Sequence, residues 1–360
     1  MANEGQRLLV FVGSYAEAEE NGVYAYAFDE ELGTLTLLDQ YAGIKNPTFL
    51  NVDADRNRLY AICETLSPEG QRIGAAASFA IDPASGTISL LNRQHTTDGT
   101  TCHIQRDAES RYLTVTSYGG GMIGLSRIAE DGSIGEVLDV RQHEGRSVHP
   151  ERQDRPHPHS SLYSPDGNYL YVQDLGLDRI VTYAVRDGKL ERLGETELHP
   201  GAGPRHLSFH PNGRYAYVIN EVDSTITAFT YDAASGRLDA LGTVSTLPAE
   251  FEGENTCAEI AVSKDGKFVY GSNRGHDSIV VYAVDEKNGT LNYVQHASVE
   301  GGHPRHFALT PSGRYLLAAN RDTNNIAAFA VDRDSGELRY TGKSTTVSKP
   351  VCVMPVYFKI

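Results

Sequence analysis

Residues 201–221 read GAGPRHLSFHPNGRYAYVINE: an Arg-His pair, a strand, a Pro-Asn-Gly turn, a second strand rich in Tyr and Val, and a glutamate. Two strands joined by so short a turn are antiparallel neighbours, so the second carries the chain back to where the first began. Arg205 and Glu221 are therefore expected at the same end of one hairpin, although sixteen residues separate them. The hairpin recurs along the chain, and its recurrence decides the fold.

One marker of the repeat is a turn glycine, any residue, then Leu or Ile. It stands at Gly33, Gly86, Gly132, Gly188, Gly236, Gly289 and Gly336, at intervals of 53, 46, 56, 48, 53 and 47 residues. A second marker, a turn followed by an aromatic-rich strand, begins at Ala54, Ala108, Ser164, His210, Ser263 and Thr310. The seventh copy is split. RLLVFVGSY at Arg7 matches RYLLAANRD at Arg314, and the final KPVCVMPVYF resembles HPRHFALTP at His303. Periods of this length with strand-type alternation and no sustained helical periodicity predict an all-β, seven-bladed propeller of about four antiparallel strands per blade. One blade is built from both chain ends, which pairs edges that would otherwise be exposed. An open solenoid would not split a copy. The whole chain, 1–360, reads as a single propeller domain.

Composition narrows the function classes. A formal charge of −15 argues against a nucleic-acid or anionic-membrane partner. If the ligand is itself an anion, a local cluster of cations must overcome that field. The four cysteines, Cys63, Cys102, Cys257 and Cys352, show no C-x-x-C spacing and read as free thiols. The apolar run near the N-terminus is too short for a signal peptide and reads as a strand, so a cytoplasmic location is expected. No stretch approaches the roughly 18 apolar residues of a membrane helix.

Aligning the repeats brings out the candidate site. The residue beginning each innermost strand is Thr48, Cys102, His159, Arg205, Ala258 or Arg305, and the next is Phe49, His103, Ser160, His206, Glu259 or His306. After the second strand of the third to sixth internal blades stand Leu175, Glu221, Arg274 and Arg321, preceded by Asp174, Asn220, Asn273 and Asn320. Both positions reach one face of a propeller, so His159, Arg205, Glu221 and Arg274 should converge there. A position kept only for packing tends to hold one residue type; this one varies, as the wall of an asymmetric pocket does. His157, His206, His103, Asn220, Asn273, Arg305, His306 and Arg321 are the accompanying candidates for substrate binding. Each has a bland alternative: Arg205 as an inter-blade clamp, Glu221 as a neutralising partner, the histidines as structural groups and the asparagines as turn residues. An insert, RQHEGRSVHPERQDRPHPH at 141–159, carries four Arg and four His against three acids, and reads either as a plain surface loop or as a rim at the mouth.

At GAGPRHLSFHPNGRYAYVINE, at His157–Gly167 and at SNRGHDSI (272–279) the sequence resembles the bacterial seven-bladed propeller lactonases of the cycloisomerase 2 type, related in fold to carboxy-cis,cis-muconate cyclase. The resemblance covers the chain. It implies hydrolysis of a sugar lactone, 6-phospho-D-glucono-1,5-lactone to 6-phosphogluconate foremost, by one histidine, two arginines and one glutamate. These fall on His159 (with His157 close by), Arg205, Arg274 and Glu221. An imidazole suits water activation, and arginines suit a phosphate or a developing oxyanion. His157 and His159 lack a third metal ligand at diagnostic spacing, and no G-x-S-x-G, P-loop or Rossmann fingerprint occurs, so neither metal nor cofactor is expected. The rival readings are a carboxymuconate-type lactonising cyclase, a quinone-dependent dehydrogenase and a pure interaction propeller. The absence of Trp removes the signatures of the last two.

Overall fold

The computed structural model describes residues 5–360, and every regular element in them is a strand. The strands form seven four-stranded antiparallel sheets, six of them running from the channel outward in chain order. Six blades are continuous, at 50–98, 101–142, 158–197, 204–245, 256–298 and 304–346, and are numbered first to sixth here. The seventh places Pro350–Lys359 innermost, followed by Gln6–Ser14, Asn21–Asp29 and Thr34–Ala42. Its closing pair runs in register from Gln6 opposite Lys359 to Gly13 opposite Cys352. The split copy thus seals the ring as the sequence indicated.

The two sequence markers turn out to touch. The second-strand tyrosine of one blade donates its hydroxyl to the marker-glycine carbonyl of the next: Tyr171 to Gly236 at 2.7 Å, Tyr217 to Gly289 and Tyr270 to Gly336 at 3.0 Å. Each of these tyrosines is fully enclosed, so its hydroxyl needs that acceptor. The glycine is required at the same contact. Gly289 has φ +75°, and a Cβ there would lie 2.4 Å from the ring of Tyr215 in the preceding blade. Between these seams the blade faces bury Val, Ile, Leu, Tyr and Phe against each other, forming one apolar layer per blade interface. The four cysteines are free, and Cys63, Cys257 and Cys352 are buried within this packing. Among the described residues no helix is long and apolar enough to cross a membrane.

Candidate active site

Five consecutive blades break the pairing of their innermost hairpin at one point. The register shifts between Thr101 and His103, Pro158 and Ser160, Pro204 and His206, Cys257 and Ile260, and Pro304 and His306. The skipped residues are Cys102, His159, Arg205, Ala258 with Glu259, and Arg305, the column picked out by aligning the repeats. A bulge leaves one residue unpaired and re-aims its side chain, which otherwise would alternate with its neighbours. The repeated bulge is how a uniform scaffold delivers unlike side chains to one mouth.

Four of the candidates meet on a carboxylate. Glu221 accepts Arg205 Nε at 2.9 Å and stands 3.0 Å from Arg274 Nη2, and the Nε2 of His159 lies 3.9 Å away. A third arginine, Arg152, closes on the other carboxylate oxygen. All four of the original set are buried. Burial alone would raise the Glu221 carboxyl, but Arg274, Arg205 and Arg152 outweigh it and hold it well below the usual carboxylate range. Glu221 is therefore a fixed negative charge that orients guanidiniums, and a poor proton acceptor. His159 is pushed the other way by burial, then by Arg205 and His206, well below the ordinary imidazole value, so its ring is neutral at pH 7. Its Nδ1 has no hydrogen-bond partner among the described residues. Cys102 donates its thiol to the His159 carbonyl at 3.0 Å, and burial lifts that thiol to about 11, leaving no thiolate to act as nucleophile.

His159, Glu221, Arg152 and Cys102 border a cavity of about 330 Å³ whose remaining wall comes from the first, second, sixth and seventh blades, including Thr48, Thr101, Tyr15, Arg72 and Arg305; Arg205 and Arg274 stand outside that wall, tied to Glu221. A second, more open cavity of about 690 Å³ lies on the far side of Arg152 and Arg274.

The other sequence candidates divide. Arg305 lines the first cavity, its guanidinium 5.8 Å above the ring of Tyr15. His157 does not line it: the ring stacks on Tyr118 with centroids 4.2 Å apart, and Nδ1 donates to the Tyr118 carbonyl at 2.8 Å. Between the two histidines, geometry favours His159. His103, His206 and His306 form a layer beneath the cavity with Phe49, whose ring centroid is 4.2 Å from that of His103. There Glu259 bridges His206 Nδ1 at 3.0 Å and His306 Nε2 at 3.1 Å. His206 Nε2 in turn lies 3.2 Å from Arg205 Nη1, so this layer braces Arg205 from below without reaching the cavity wall. Asn220 and Asn273 are fully buried and turned into their blades, donating to Thr225 and Thr227 and to the Thr246 carbonyl. Arg321 pairs with Asp322 at 2.6 Å. None of the three lines the first cavity, and the partners of Arg321, Asp322 and His303, line the second.

Sequence reasoning missed Arg152. The insert at 141–159 is a rim: Gln153 is wholly enclosed and donates to the Leu175 carbonyl and Asp178, and Ser147 donates to the same aspartate. The excess of arginine in the insert was the available signal, but an insert has no repeat register to place any one residue.

The fold and site define a class: a seven-bladed propeller with a small-molecule cavity at one mouth, walled by arginines and a neutral imidazole. The chain belongs to the seven-bladed β-propeller lactonase family, whose model matches residues 9–355. It is accordingly a lactone hydrolase. It is 35% identical over 301 residues to the 6-phosphogluconolactonase of Bacillus subtilis, covering 84% of each chain. It is 33% identical over 310 residues to the 6-phosphogluconolactonase of Formosa agariphila, covering 84% of this chain and 86% of that one. The solved periplasmic gluconolactonase of Pseudomonas aeruginosa superposes with a TM-score of 0.90 at 33% identity, over 98% of this chain and 99% of that chain.

Proposed function

We propose that the chain hydrolyses 6-phospho-D-glucono-1,5-lactone to 6-phosphogluconate, with His159 as the base and Arg205, Arg274 and Glu221 as the electrostatic frame. The observation that carries this reading is the surplus of cation at the mouth. Five arginines, Arg72, Arg152 and Arg305 on the cavity wall and Arg205 and Arg274 paired with Glu221, stand against two carboxylates, Glu64 and Glu221, in a protein of net charge −15. Burial, together with Arg274 and Arg305, pushes Arg205 down to about 9, so its charge is held against a real cost that an anionic ligand relieves.

In this reading His159 takes a proton from water as the oxygen attacks the lactone carbonyl. The carbonyl oxygen becomes an oxyanion facing Arg205 and Arg274, whose charge is already oriented by Glu221. Collapse breaks the bond between the carbonyl carbon and the ring oxygen. The imidazolium returns its proton to that departing oxygen, leaving a free carboxylic acid that ionises in water. A neutral imidazole is the form that can begin this sequence.

The test is hydrolysis of δ-6-phosphogluconolactone, corrected for spontaneous ring opening, by His159→Ala and Arg205→Ala. We expect kcat/KM to fall by about 10²–10⁴ in each. Unchanged kcat/KM in both, with folding intact, rejects the assignment.

A further inference from the structure

The arginines at the mouth are not equivalent: Arg72, Arg152 and Arg305 line the cavity, and Arg72 is exposed with no aromatic ring among the described residues beneath it. Arg152, Arg205 and Arg274 all lean on Glu221, and two of them are spent further: Arg205 donates to the Ala258 carbonyl at 2.6 Å and Arg274 to the Cys257 carbonyl at 2.6 Å. Arg305 has no hydrogen bond or ion pair to any described residue; its one recorded contact is the face of Tyr15. The other carboxylate on the wall, Glu64, accepts from Asn46 Nδ2 at 3.3 Å and forms no ion pair. A half-buried guanidinium with its donors unused, seated on an aromatic plane, is preorganised for an oxyanion that the protein does not supply.

Position adds to chemistry. Arg305 belongs to the sixth blade and Tyr15 to the seventh, whereas His159 belongs to the third. Three blades round is the largest separation a ring of seven allows, so the free arginine and the imidazole face each other across the cavity. In a 6-phosphorylated 1,5-lactone the ester carbonyl and the phosphate are separated by the ring oxygen, a ring carbon and an exocyclic carbon. One cluster of groups cannot serve both. Arg205 and Arg274 are tied to Glu221 and do not line this cavity, which leaves the wall facing His159 for the phosphate.

We propose that Arg305, backed by the Tyr15 ring, is the specificity-determining residue that binds a terminal phosphate, selecting a phosphorylated sugar lactone over its unphosphorylated counterpart. This rests on the reading of the cavity as the lactonase site. It also bears on the relatives, which carry the names of both a phosphorylated and an unphosphorylated substrate.

Two measurements on wild type, Arg305→Gln, Arg305→Lys and Tyr15→Leu test it. In steady-state hydrolysis, the ratio of kcat/KM for 6-phosphogluconolactone to that for gluconolactone should shrink by on the order of 100-fold in Arg305→Gln. It should recover in part in Arg305→Lys, because a point charge replaces a planar fork. Tyr15→Leu, which keeps the charge but removes its support, should lower the ratio less. Parallel losses on both lactones, or an unaltered ratio, would overturn the assignment. Calorimetric binding of 6-phosphogluconate and of gluconate reads the same contact without turnover. Wild type should prefer the phosphorylated acid, and Arg305→Gln should erase the preference; a preference that survives overturns the proposal. Wild type that hydrolyses neither lactone yet shows the Arg305-dependent preference would reject the proposed reaction and keep the anchor. Should Arg305→Gln not fold, the lysine and Tyr15 variants still decide, since an unaltered ratio and preference in both overturn it.

Discussion

At the scale of single residues the site turns on Glu221, a carboxylate shared by three guanidiniums. Removing one member of a buried ionic cluster leaves the others uncompensated, a larger loss than the cluster's own net worth. Glu221→Gln should therefore lower unfolding free energy by about 3–5 kcal/mol at pH 7, measured by chemical denaturation. The loss should carry a pH signature. The folded-state value of Glu221 is depressed, so its contribution is complete above the ordinary glutamate value of about 4.3 and disappears as pH falls through the depressed one. The gap between wild type and Glu221→Gln should close on acidification within that window, and inorganic phosphate should narrow it at pH 7 by standing in for the missing charge. A gap that is constant with pH would mean Glu221 acts through packing alone. Arg205, Glu221 and Arg274 were legible in the sequence because each occupies an equivalent position of a repeat, where an unlike residue stands out. The lowered pKa of Glu221 was not, since burial and pairing pull in opposite directions and only distances decide between them.

Elements set how those residues are aimed. The innermost hairpins supply a bulge where the sequence shows only an ordinary strand start, and hydrophobic alternation does not announce an extra residue. The alignment nevertheless found the column, because the bulge sits at the same offset from every turn. The insert is the opposite case. Its residues follow no period, and its placement depends on one buried aspartate that accepts from Ser147 at 2.5 Å, Gln153 at 2.6 Å, and the backbone N–H groups of Gly201 and Gly203 at 2.7 Å. Asp178 thus ties the rim that carries Arg152 to the turn that leads into Arg205. Replacing it with Ala leaves four donors without their acceptor and frees the rim. Asp178→Ala should lower kcat/KM for the lactone by roughly 10- to 100-fold, and proteolysis within residues 141–157 should quicken while the blades stay resistant. Full activity with no new cleavage would show the rim to be held by other contacts.

For the molecule as a whole, the repeat predicts where the chain can and cannot be cut. The split blade was legible from two half-copies at opposite ends of the sequence, and the strand pairing bears it out along eight consecutive positions, with the Ile360 N–H reaching the Gly5 carbonyl at 3.0 Å. Chain ends that meet in one sheet are interchangeable with any exposed hairpin turn, provided the ring stays closed. The turn at Gly167 is such a place: nothing lies within 4 Å of where its Cβ would be, and it caps the end of its hairpin away from His159. A circular permutant with residue 360 joined to residue 1 through a Gly-Ser linker, and opened at Gly167, should retain kcat/KM within roughly threefold of wild type. Deleting residues 350–360 should instead abolish cooperative unfolding, because it removes the innermost strand of the seventh blade and bares both the Gln6–Ser14 edge and the flanks of the sixth and first blades. The contrast isolates closure from chain length and composition: the permutant loses one turn bond, the truncation loses the seam. A truncated chain that still melts in one sharp transition and turns over the lactone would mean that six and three-quarter blades suffice, and that the shared mouth does not depend on a sealed ring.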